Sequence, residues 1–227
     1  MNKLRDYLWR FRDEIFALVG MIVVLWQMLL PGYVLLLDLT WGPIRHFTTQ
    51  DHFLNTLPID ALLAFVQQFD VGWVVEKGVL ILLCFALFYI PLRAYPFVSR
   101  YGERYVAALF FAINPYVYER LLAGQWLVVA GYCVLPLFLS SLYHALYDIS
   151  WRRTLMPFVW LFAIGLFSLH TLVMGCILYA MFFFAVLISK IVAHDAQTRA
   201  FLLRSIAGGA LFIALLMVKV KLKKIVC

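Results

Sequence analysis

Residues 30–43 read LPGYVLLLDLTWGP, and their reading decides the fold. A long apolar run ends there on one carboxylate, Asp38, and Trp41, Gly42 and Pro43 follow at once. Upstream, residues 15–37 supply the roughly 20 apolar residues that a helix needs to cross hydrocarbon. Gln27 and the Pro31-Gly32 pair interrupt this run, and the Pro-Gly step predicts a kink just before Asp38. Downstream, residues 38–72 form the longest stretch that does not read as spanning. Asp38 therefore stands where a chain leaves the membrane.

The remaining chain has the same character. Of its 227 residues 65% are hydrophobic and 14% are charged, and the mean hydropathy is +0.93. Soluble domains are only about 45–50% apolar, so lipid must be the solvent for much of this chain. Aromatic residues make up 17%, which suits membrane interfaces lined with Trp and Tyr. The net charge of +7 does not point to nucleic acid, because the basic residues fall in short clusters between apolar runs. Such clusters mark topology and touch anionic headgroups. The four cysteines show no CxxC or CxxH spacing, which excludes a recognisable zinc site or disulfide framework.

In chain order, residues 1–14 form a basic, amphipathic lead-in carrying Lys3, Arg5, Arg10 and Arg12. The first apolar run is too long for a signal peptide's core and is read as a retained span. The loop 38–72 holds Asp38, Asp51, Asp60 and Asp70 against one strong base, Arg45, and is placed outside. Within it, residues 58–69 have helical apolar spacing and suit a helix lying on the outer surface. A second span follows over 74–92, with Glu76 and Lys77 at its outer end. Residues 104–114 are apolar but short. Pro115 ends that run, and residues 115–124 (PYVYERLLAG) read as a separate short helix stopped at Gly124. For Arg152 and Arg153 to lie inside after a full span over 125–147, the short run must cross as well, which puts NPYVYER outside. Spans over 154–169 and 171–192 come next, and a seventh run covers 201–218.

The expected fold is thus an all-α, polytopic bundle of about seven spans with the N-terminus inside, in the cytoplasmic membrane. Charge agrees with it: twelve of the Lys and Arg residues fall inside and three, Arg45, Lys77 and Arg120, fall outside. The last four lysines, in the tail 217–227, break the pattern: either the last run turns back inside, or, the favoured expectation, the natural reading frame ends near Leu216 and the chain is a truncated or frameshifted fragment.

The first span ending in LPGYVLLLDLTWGP, the outer loop with its surface helix and the short third run leading into NPYVYERLLAGQW together resemble multi-spanning membrane glycosyltransferases of the GT-C class, especially their bacterial relatives. The likeness covers most of residues 15–216 and corresponds to the N-terminal part of such proteins. It implies a sugar donor on a polyprenyl phosphate and an essential acid in the first outer loop, and the matching position is Asp38. In that class the acid serves as catalytic base or metal-proximal group; many members pair it with a second one, whereas Leu39 and Thr40 follow here, so the motif gives a divalent metal no support and no other cofactor is implied. A carboxylate at the surface can deprotonate an acceptor hydroxyl. Arg120, Arg45 or Lys77 can neutralise the leaving phosphate, and Glu119 can orient Arg120 or the acceptor.

Plainer readings stand beside these. Asp38 can simply end a span, and Glu119 and Arg120 can pair with each other. His46 and His52 have no metal-site spacing, His170 reads as a turn residue, and His144 looks ordinary. Other function classes are a non-catalytic scaffold or inactive fragment, and a transporter or lipid flippase. Against the transporter stands the near absence of polar groups in the spans, Gln27 apart. No P-loop, GxGxxG, GxSxG or HExxH motif occurs.

Overall fold

The structure is a computed structural model that describes residues 11–26, 72–94, 101–147, 150–192 and 204–214. Every regular element among the described residues is a helix. In order they are α1 (Arg12–Leu25), α2 (Gly72–Ala94), α3 (Tyr101–Ala112), α4 (Pro115–Leu122), α5 (Trp126–Tyr147), α6 (Trp151–Phe167), α7 (Leu169–Val192) and α8 (Arg204–Ala214). Residues 38–71 of the expected loop, with the surface helix expected there, and the tail from 217 lie outside the described residues.

Among the described residues, three helices contain stretches long and apolar enough to cross a membrane: Val74–Ala94, Trp126–Ala145 and Leu169–Ile188. Exposed faces of α2, α3 and α7 are apolar too. Leu82 in α2, Phe110 in α3 and Met181 in α7 are all exposed. Water penalises such surfaces and hydrocarbon does not, so the chain is built as a membrane protein. Two spans agree closely with the expected limits, since α5 starts at Trp126 and ends at Tyr147, and α7 ends at Val192.

The described residues fall into two compact units, the first running through Val129 and the second starting at Ala130. In the first unit α2 packs against both α1 and α3. Phe16 of α1 meets Phe88 of α2 edge-on, with ring centroids 6.1 Å apart. One turn on, a Cβ placed on Gly20 would lie 2.7 Å from the Phe88 ring, so the approach of α1 to α2 depends on the missing side chain. Small residues perform the same task on α3, where Ala108 and Ala112 are buried one turn apart on the same face.

In the second unit the core gathers Leu135, Phe138 and Leu142 of α5, Phe158, Leu161 and Ile164 of α6, Leu172 of α7 and Phe212 of α8. The turn between α6 and α7 is a single extended residue, Ser168 (φ −152°, ψ 125°). Its N–H donates to the Ile164 carbonyl, its own carbonyl accepts from the Leu172 N–H, and its hydroxyl accepts from the Thr171 N–H. One serine thus caps two helices, which is why so short a connection suffices. His170, expected in this turn, is exposed on the first turn of α7.

Candidate functional site

Of the expected site, the NPYVYER stretch and Lys77 fall within the described residues. The local structure of the stretch follows from its ends. Asn114 adopts an extended conformation (φ −138°, ψ 160°), and its side-chain oxygen accepts from the Val117 N–H at 3.0 Å. Its amide nitrogen donates back to the Phe111 carbonyl at 2.7 Å. The side chain therefore closes α3 and opens α4 at once, and Pro115 occupies the first helical position, where its missing N–H costs nothing. At the far end Gly124 sits at φ 75°, the left-handed conformation that glycine adopts without strain. The Ala123, Gly124 and Gln125 N–H groups return to the carbonyls of Glu119, Leu121 and Arg120. An eight-residue helix is thereby fixed at both ends by its own sequence. Substituting Asn114→Ala is expected to lower the stability of the first unit by about 1 kcal/mol, measured as a fall in the unfolding midpoint of the purified protein in detergent.

Arg120 and Glu119 do not pair with each other. Arg120 donates from Nη1 to Gln125 Oε1 at 2.7 Å and lies over the Tyr116 ring, 5.4 Å from its centroid. Its Nε is buried with no hydrogen-bond partner among the described residues. Glu119 is exposed. The arrangement leaves a guanidinium positioned by a neutral amide and an aromatic face, with donor capacity unspent. Such a group suits an anion better than it suits a buried structural pair. Asp38 and Arg45 lie outside the described residues.

Helix lengths locate α4 within the first unit. The Arg104 guanidinium donates to the Leu92 carbonyl, which sets the start of α3 beside the end of α2. Eight residues later, at about 1.5 Å per residue, Ala112 stands level with the middle of α2, near Cys84. The twelve residues of α3 are too few to cross hydrocarbon by themselves. The break at Asn114 falls part-way up the neighbouring span.

Two polar features were not visible in the sequence reading. The first is a cluster joining the starts of α1 and α3 to the end of α2. Asp13 is buried, and it accepts from the Tyr105 hydroxyl at 2.6 Å. Arg93 lies 3.6 Å from Asp13 and 3.0 Å from Glu14, while Arg12 approaches Asp13 at 3.6 Å. The basic lead-in thus ends on two acids that fasten three helices. Only the Asp13-Glu14 pair at the edge of an apolar run hinted at it. The second feature is the depth of Glu76 and Lys77, expected at an outer end. Glu76 is 1% exposed and Lys77 9%. They stand near the start of α2, the end where they were expected, but packed inside the protein rather than facing outward, and buried charges on apolar helices are rare and usually functional.

Among the described residues, no three His, Cys, Asp or Glu side chains converge to hold a metal. No known family model, curated protein or solved structure matches the chain.

Proposed function

We propose that this chain is a membrane glycosyltransferase-like protein that takes a sugar from a polyprenyl-phosphate donor at the outer face, with Asp38 as the base. The observation that carries the reading is Arg120. Its guanidinium is held by Gln125 and Tyr116 and pairs with no carboxylate among the described residues. A phosphate leaving group needs such a partner, and the exposed Glu119 beside it is free to meet an acceptor hydroxyl. In this reading the chain crosses the membrane about seven times with its N-terminus inside, and Arg45 adds charge at the donor. The third crossing is α3 and α4 taken together. Their 12 and 8 residues meet the roughly 20 required, with the break at Asn114 inside the membrane. The test is sugar transfer by the full chain with and without the Asp38 carboxylate.

A second reading rests on Glu76. A carboxylate 1% exposed in a spanning helix is what a proton-coupled transporter needs. Proton uptake by vesicles that ceases in Glu76→Gln and survives in Asp38→Asn would select it. Loss of sugar transfer in Asp38→Asn alone selects the first.

A further inference from the structure

Gln125 links α4 to α5 and meets Arg120 twice. Its N–H donates to the Arg120 carbonyl at 2.8 Å, and its side-chain oxygen accepts from Arg120 Nη1 at 2.7 Å. The first contact depends on Gly124, whose left-handed φ of 75° turns the chain back over the end of α4. The second acts together with the Tyr116 ring, one turn earlier in α4, whose centroid lies 5.4 Å from the guanidinium. A long side chain that would otherwise sample many rotamers is thereby held in place.

The residue type at position 125 runs against two local forces, and both favour an acid. A carboxylate would bond the Arg120 guanidinium roughly twice as strongly as a neutral amide does. Residue 125 also stands immediately before α5 (Trp126–Tyr147), where its carbonyl accepts from the Val128 and Val129 N–H groups, and negative charge is stabilising at a helix start. Glutamate has the size of glutamine and would satisfy both forces. Glutamine forgoes that stabilisation and holds Arg120 with a group that does not neutralise it. Local preferences set aside in this way mark functional places.

We propose that Gln125 is a positioning residue for anion binding, which orients the Arg120 guanidinium toward a lipid-linked phosphodiester without cancelling its charge. This role rests on the reading of Arg120 as the partner of the donor phosphate, and it requires no contact between Gln125 and the donor. Stability and binding are then opposed at this position, because the residue that would hold Arg120 best would also silence it.

The probe is radiolabelled farnesyl methyl phosphate, a sugar-free isoprenoid phosphodiester, bound at equilibrium to the full chain in detergent, with the unfolding midpoint measured on the same samples. Gln125→Glu is expected to weaken binding roughly tenfold to a hundredfold, the range for a hydrogen bond to a charged group. Its midpoint should equal or exceed that of the wild type, because the new ion pair holds the end of α4 more tightly. Gln125→Met keeps the length and loses the hydrogen bond. It should weaken binding about threefold when Arg120 is present and not at all in an Arg120→Gln background, since the two residues act as one. Farnesol, the uncharged analogue, should bind all variants alike. Wild-type binding of the phosphodiester by Gln125→Glu overturns the inference, as does a parallel loss of farnesol binding or an equal loss from Gln125→Met in both backgrounds. Arg120→Gln separates the two claims. Weakened binding there, beside wild-type binding in Gln125→Glu, sinks the role of Gln125 alone. Wild-type binding in Arg120→Gln removes Arg120 from the phosphate site and both readings with it. Should Gln125→Glu fail to fold, Gln125→Met in the two Arg120 backgrounds decides by itself.

Discussion

An Asp38→Asn variant of the full chain is expected to transfer sugar from a polyprenyl-phosphate donor 10²–10⁴-fold more slowly, at about the value of a positioned general base. Asparagine keeps the size and the hydrogen-bonding reach of aspartate and removes the ability to take a proton. Donor binding should change little, because the phosphate is assigned to Arg120 and Arg45, so the loss should appear in kcat with KM nearly constant. Arg120→Gln should show the opposite balance, with a raised KM for the donor and a smaller loss in kcat. Unchanged turnover in Asp38→Asn would remove this residue from the mechanism.

The second large effect is structural. Tyr105→Phe is expected to destabilise the first unit by about 2 kcal/mol. The Tyr105 hydroxyl donates to a buried carboxylate at 2.6 Å, and bonds to ionised acceptors are roughly twice as strong as neutral ones. Phenylalanine preserves the ring, which meets Phe16 edge-on at 5.0 Å, so the loss isolates the hydroxyl. Arg93→Gln should cost less, because the Arg93 side chain is half exposed and its attraction to Asp13 and Glu14 is screened by solvent. Chemical unfolding in detergent checks both. A Tyr105→Phe midpoint equal to the wild type would mean that Asp13 draws its stability from the arginines instead.

These two positions show where the sequence could be read and where it could not. The short helix α4 was legible, because its determinants are local: Pro115 at one end and Gly124 at the other. The limits of α5 and α7 were legible because length and apolar content alone set them. The Asp13–Tyr105 bond joins residues 92 positions apart, and no periodicity announces it. The burial of Glu76 is likewise tertiary, since its own segment reads as the polar end of a span. His144 and Arg153, whose side chains approach to 3.5 Å, looked unrelated because they stand on different helices, α5 and α6, and helical spacing connects only residues within one helix. The resemblance through Asp38 belongs to residues outside the described ones, so the account of the site rests on α4 and on charge.

The central claim is that Asp38 and the Glu119-Arg120 helix face the same side of the membrane, opposite the Asp13–Arg93 cluster. Single cysteines at Asp38→Cys, Glu119→Cys and Glu103→Cys, in a cysteine-free background and in sealed vesicles of one orientation, report it through an impermeant maleimide. The account predicts that positions 38 and 119 react from one side and position 103 from the other. Labelling of positions 103 and 119 from the same side, with 38 opposite, would contradict it.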